Sequence, residues 1–211
     1  MTYRATSRAT LAIAAALSLS GCVGALLGGG KPDTLYRFGP VAADTIPQAT
    51  AAPRRTLALP VPQFSPATAG DRILTTQGSE ISYIKGVRWV SPAPTLYAAA
   101  LDATVATRAP DIAVATRASG APTAILTVSV NRFEASYPEA GAGSPVIHVD
   151  GVASLADRTT KTIVGRLRFS GTASAAAGTG PAIVAAFDAA TMQGVMQIVD
   201  WANVTIFVPK Q

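Results

Sequence analysis

Two residues in this 211-residue chain stand where their type and spacing could do chemistry. The first is Cys22, the single cysteine, which closes the tetrapeptide Leu19-Ser20-Gly21-Cys22. Basic Arg4 and Arg8 come first, then the apolar run Leu11–Leu19, which is too short to cross a bilayer as a free helix. A charged start, a short apolar stretch and small residues at the exit describe a secretory signal peptide. Leu-Ser-Gly-Cys further matches the lipobox, at which the cysteine thiol is diacylated, the chain is cut just before it, and the new amine is acylated. A thiol held in a thioether is neither a nucleophile nor a metal ligand. Val23 follows, where aspartate would commonly mark retention at the inner membrane, so the expected address is the periplasmic face of the outer membrane.

The second is His148, the single histidine, two residues before Asp150. On a strand that spacing puts both side chains on one face, as a base and its orienter or as part of a solvated sheet face, which is the preferred reading. No Gly-x-Ser-x-Gly elbow presents a serine to them. One histidine and no free cysteine leave too few ligands for a transition metal. Neither G-x-x-x-x-G-K-[ST] nor G-x-G-x-x-G occurs, and Gly28-Gly29-Gly30 sits beside the lipid. No cofactor is implied. Counting alone leaves a carboxylate pair open, so a lipid-anchored envelope hydrolase stands as a rival reading.

Composition sets the rest of the frame. Without Arg4 and Arg8 the 17 Lys+Arg become 15 against 12 Asp+Glu, a net of +3. No basic run and few aromatics argue against nucleic acid. About 190 residues after cleavage suit one domain and a tether. The boundaries read as 1–21 signal peptide, 22–33 lipidated cysteine and flexible tether, and 34–211 domain. No apolar segment after the signal is expected to span a membrane.

The elements that must position any site follow from periodicity. Residues 34–38 form a strand, 40–55 a loop, and Thr56–Val61 a strand placed near an edge by Pro60 and Pro62. Segments 71–76 and 80–84 pair as a hairpin around Gln77-Gly78-Ser79. Ser91-Pro92 opens a helix over 92–108, which Pro110 ends. Ile112–Thr116 is a strand, and Ala124, Leu126, Val128 and Val130 alternate with polar residues. Ile147, Val149, Ala153 and Leu155 alternate next, then Ile163, Leu167 and Phe169, an antiparallel meander with one covered face. Gly178–Pro181 opens a long helix to Thr205, with Ile183, Phe187, Ala190, Gly194, Ile198 and Trp201 on one stripe. The fold class is α/β or α+β: a single domain, a mixed sheet with two main helices on it. Its unpaired edges leave homo-oligomerisation open.

The binding candidates lie in the block from Asp71-Arg72 to Trp89: Arg72, Tyr83, Arg88 and Trp89. Arg72→Glu and Trp89→Ala are expected to weaken partner capture with the fold intact, although Trp89 can equally pack beneath the first helix. These blocks carry a resemblance. The lipobox, Tyr36-Arg37-Phe38, Asp71-Arg72-Ile73, Ile81-Ser82-Tyr83, Arg88-Trp89-Val90-Ser91-Pro92, Arg132-Phe133-Glu134, Arg168-Phe169 and an Ala-rich final helix occur in order. Together they resemble the ABC-type transport auxiliary lipoproteins, the PqiC-like lipoproteins. The chain departs from them at Ile73, where proline is usual, and at Ser91, where an acidic residue is frequent. The resemblance implies a non-catalytic partner of a periplasmic MCE-domain protein and its ABC permease and ATPase, a system moving lipid between the two membranes. An outer-membrane assembly or scaffold lipoprotein is the other non-enzymatic reading.

Overall fold

Alternation that is legible in short segments assembles around one long strand. The computed structural model describes residues 32–40, 55–116, 121–138 and 143–206, and the following refers to these. In chain order the elements are β1 (Thr34–Tyr36), β2 (Arg55–Ala58), β3 (Gln63–Phe64), β4 (Arg72–Gln77), β5 (Glu80–Trp89), α1 (Ala93–Arg108), β6 (Ile112–Val114), β7 (Ala124–Tyr137), β8 (Val146–Asp157), β9 (Ile163–Ser174) and α2 (Gly180–Thr205). The signal and most of the tether, residues 1–31, lie outside the described residues, as does most of the 40–55 loop.

β7 is the spine. Along one side it pairs antiparallel with β8 from Ala124↔Asp157 to Ser136↔Val146, and β8 pairs antiparallel with β9. The other side of β7 is shared at three heights by parallel neighbours: β2 at Ala124–Ile125, β3 at Ser129–Val130 and β4 at Ala135–Tyr137. Beyond β4 come antiparallel β5 and then parallel β1, and beyond β2 comes parallel β6. The sheet is therefore mixed, with the expected antiparallel meander at β7–β9 and two helices on one face.

Local chemistry explains where this order departs from simple periodicity. β2 and β3 follow β7 as one broken strand, interrupted where Pro60 and Pro62 lack an N–H to donate. Expected near an edge, β2 has neighbours on both sides, and β6 is the outer strand. In β7 the register slips between Val130 and Arg132, so Asn131 is a surplus residue. Burial then changes parity, from Ala124, Leu126, Val128 and Val130 to Phe133 and Ala135. Gly151 pairs at that bulge, where a Cβ would run into Ser129 O and come 2.5 Å from Phe169 Cζ. In β9, Phe169 is buried, but Ile163 is 52% exposed because it lies beyond a second slip at Val164.

The hairpin turn between β4 and β5 is the two residues Gly78-Ser79, with Gly78 at φ 56°. β5 runs on to Trp89, past Gly86 at φ 75° and a wide irregularity opposite Arg72–Leu74. α1 begins without a side-chain cap: Thr95 and Leu96 N–H donate to Pro92 O, and Ala93 N–H donates to Gly70 O.

The core sits between the sheet and the helices. Trp89 meets Phe38 at 5.0 Å and Phe187 at 5.3 Å, both edge-on, and Phe133 lies 4.9 Å from Phe187. Phe64 packs edge-on to Tyr97 at 5.7 Å. Gly39, at φ 81°, is wedged 2.9 Å from Ala100 Cβ (measured from its ideal Cβ position) and donates its N–H to Asp188 Oδ1 at 2.7 Å. This fastens the start of the domain between α1 and α2. One expectation is revised: α2 is long and apolar enough to cross a membrane by length and composition, yet more than half of its apolar window is buried against this domain.

Candidate functional site

The sheet has a covered face and an open face, and each sequence candidate falls on one or the other. Trp89 belongs to the covered side. Its side chain is 1% exposed, so contacts made through this segment fall to its neighbours. The reason is parity: Val87 and Trp89 turn inward in β5, and Trp89 N–H is held by Asp71 O at 2.7 Å.

Arg72, Tyr83 and Arg88 do lie together at the surface. The Arg72 guanidinium stacks 3.8 Å above the Tyr83 ring centroid. Tyr83 O–H donates to Ala67 O at 3.0 Å, which fixes the ring under the cation. Arg88 Nη1 donates to Asp71 Oδ1 at 3.0 Å, with both side chains more than a third exposed. A stacked guanidinium keeps its N–H fork for a carboxylate. The patch can therefore receive an acidic or hydrogen-bond-accepting group.

His148 and Asp150 share the open face of β8, as their spacing requires. Opposite them on β7 stand Glu134 and Arg132, and on β9 Thr172 and Ser170. Arg132 Nε donates to Glu134 Oε1 at 2.8 Å, and Thr76 Oγ1 reaches the same oxygen at 3.4 Å. Ser170 O–H donates to Asp150 Oδ1 at 2.7 Å. The hydroxyl is thus bonded to the carboxylate and not to the imidazole, which is the reverse of a nucleophile–base–orienter chain. Partial burial, with the Arg132 charge adding to it, lowers the His148 pKa below its ordinary value. The row holds two hydrogen-bonded pairs, Arg132–Glu134 and Ser170–Asp150, with His148 between them. Among the described residues no three His, Cys, Asp or Glu side chains are grouped to hold a metal.

Two features were not anticipated from the sequence. Arg108 closes a two-bond fork on Asp200, with Nε–Oδ1 at 2.9 Å and Nη2–Oδ2 at 2.7 Å, tying the end of α1 to α2. Gln193 and Gln197 on α2 bond to the backbone of β9. The signal for the second was two glutamines at i and i+4 on an otherwise apolar stripe. Cys22 lies outside the described residues.

With this geometry in hand, comparison with known proteins is informative. No curated protein matches the chain. A crystal structure of a Xanthomonas campestris protein of the DUF330 family is similar at TM-score 0.65 and 22% identity, over 82% of this chain and 96% of that one. An uncharacterized protein is similar at TM-score 0.64 and 15% identity, over 81% and 99%. A hypothetical protein from Chlamydia trachomatis is similar at TM-score 0.51 and 7% identity, over 74% and 99%. At these identities the likeness establishes the fold. The model of the ABC-type transport auxiliary lipoprotein component matches residues 36–199, from the last residue of β1 through most of α2. The chain belongs to that family, as a lipoprotein of the cell envelope and an auxiliary component of ABC-type transport.

Proposed function

We propose that this lipoprotein is a non-catalytic docking component at the periplasmic face of the outer membrane. Its partner is a periplasmic MCE-domain protein that, with an ABC permease and ATPase, carries lipid between the membranes. The family match over residues 36–199 carries the reading, and the lipobox at Cys22 supplies the address. In this reading residues 1–21 are removed, 22–33 form the tether and 34–211 the working domain. Acyl chains stabilise membrane association by about 0.8 kcal/mol per buried methylene, so several chains make a durable anchor. The tether, residues 22–33, is twelve residues long, and fully extended it reaches about 40 Å. The domain thus works close to the membrane. The surface of Arg72 on Tyr83, with Arg88 beside it, is the proposed partner contact.

Membrane fractionation tests the address. Wild-type protein is expected in the outer-membrane fraction and Cys22→Ser in the soluble periplasm. Wild-type protein in the inner-membrane fraction, or Cys22→Ser still bound to membranes, would overturn it. The partner is tested by capture of the tagged, acylated protein from crosslinked envelopes.

A further inference from the structure

Among the described residues β9 is the outermost strand on its side of the sheet and pairs only with β8. In an antiparallel ladder every second residue turns its N–H and C=O away from the neighbour. Ser170 and Thr172 belong to that outward set, because their N–H groups donate to side chains of α2. Between Gly165 and Ser174 the register is unbroken, so Arg166 and Arg168 belong to it as well.

The two halves of this edge are treated differently. Gln197 accepts from Ser170 N–H at 3.2 Å and donates to Ser170 O at 2.7 Å. One side-chain amide thereby reproduces the two-bond ring that a residue of an added strand would make. Gln193 accepts from Thr172 N–H at 3.1 Å. One further turn along α2 stands Trp201, with its ring against Gly165. Past Ser170 the capping stops. Among the described residues, nothing bonds to the outward N–H and C=O of Arg166 and Arg168.

The surroundings of the open half are apolar and cationic. Ile163 and Val164 are 52% and 43% exposed. Arg158, Lys161, Arg166 and Arg168 are exposed along this half, and the carboxylates beside them are engaged by hydroxyls: Asp157 Oδ1 accepts from Thr160 and Asp150 Oδ1 from Ser170. None of the four cations is in an ion pair among the described residues.

We propose that the Ile163–Arg168 half of β9 is a strand-addition site for an extended acidic segment of a partner protein. Main-chain bonds to Arg166 and Arg168 would hold the segment, and alternate carboxylates would face the two guanidiniums on the open side of the sheet. The glutamine caps end the site at Ser170 and so fix its length and register. A second copy pairing through the same edge would set arginine against arginine, which is unfavourable. An anionic membrane would meet the guanidiniums but would leave the main-chain groups to water. The site is set off from Arg72 and Tyr83 by β7 and β8, and it does not depend on the partner being an MCE protein.

The test uses acylated full-length protein in detergent and a fluorescein-labelled peptide of alternating glutamate and valine. Two further copies of the peptide are N-methylated at alternate residues, one in each frame. The unmodified peptide should bind and slow amide exchange at Arg166 and Arg168. One N-methylated frame, and the variant Arg166→Glu/Arg168→Glu, should each weaken binding by about tenfold or more. The variant Arg166→Lys/Arg168→Lys should retain most of it. Absence of binding, equal binding by both N-methylated frames, or binding indifferent to the Glu variant would overturn the proposal. Displacement of the peptide by phosphatidylglycerol vesicles without loss on N-methylation would assign the patch to the membrane instead. A concentration-dependent dimer lost in the Glu variant would assign it to a second copy.

Discussion

Replacing Trp89 with alanine tests whether the block from Asp71 to Trp89 is anchored or merely displayed. The side chain is 1% exposed and touches Phe38 at 5.0 Å, Phe187 at 5.3 Å and Phe133 at 6.2 Å. Truncation of a buried tryptophan to alanine costs about 3–5 kcal/mol. One term runs the other way: Trp89 Nε1 is buried without a hydrogen-bond partner, and removing such a donor returns about 1–3 kcal/mol. The net expectation is about 2 kcal/mol of lost stability. For a domain of this size that is a fall in melting temperature of about 4–8 °C. Trp89→Phe keeps an apolar ring against the same three neighbours and also removes the unpaired donor, so it should cost less than about 1.5 kcal/mol. Urea unfolding followed by far-ultraviolet circular dichroism is the assay, because the substitution itself alters tryptophan fluorescence. The midpoint should fall with the slope unchanged. An alanine variant within about 0.5 kcal/mol of wild type would refute the packing argument and return Trp89 to the candidate contact surface.

Two other perturbations are read from the same geometry. Gly171 crosses α2 so closely that a Cβ would run into Ala190 O and lie 2.8 Å from its carbonyl carbon. Gly171→Ala should therefore cost about 1–3 kcal/mol by thermal melting, while Gly178→Ala, with open space around it, should cost little; equal effects would refute the close-approach account. At the α1–α2 fork, the Arg108 hydrogen bond holds the Asp200 carboxyl below its usual range, opposed by slight burial and aided by the guanidinium charge. A lowered carboxyl contributes stability above its unfolded pKa, about 3.9, and loses it as pH falls through the lower folded value. Unfolding of wild type and Asp200→Asn followed from pH 7 to pH 2 should show a gap that closes in acid; a gap constant with pH would refute the linkage.

What the sequence carries and what it hides divide along a physical line. Strand alternation and helix stripes are local, so β7, β8, α1 and α2 are legible from apolar spacing, and the Gly78-Ser79 turn from its glycine. Parallel pairing is not local. Nothing in Leu57 or Phe64 says that both lie along β7, and β3, at two residues, is too short to have a period. Trp89 was ambiguous because its segment mixes Arg88, Val87 and Lys85 in a strand bent at Gly86. Only the packed structure shows which side is covered. Arg72 on Tyr83 needed the hairpin register, which brings two residues eleven apart into contact. The glutamine caps needed the knowledge that α2 runs beside an unpaired edge.

The most direct test of the docking account is capture of the tagged, acylated protein from crosslinked envelopes, with partners identified by mass spectrometry. The account predicts recovery of an MCE-domain protein, with or without its permease and ATPase, and a clear loss of that partner for Arg72→Glu at unchanged thermal stability. Recovery of peptidoglycan or β-barrel assembly factors alone would contradict it and favour a scaffold. Undiminished capture by Arg72→Glu would move the contact away from the Arg72–Tyr83 surface.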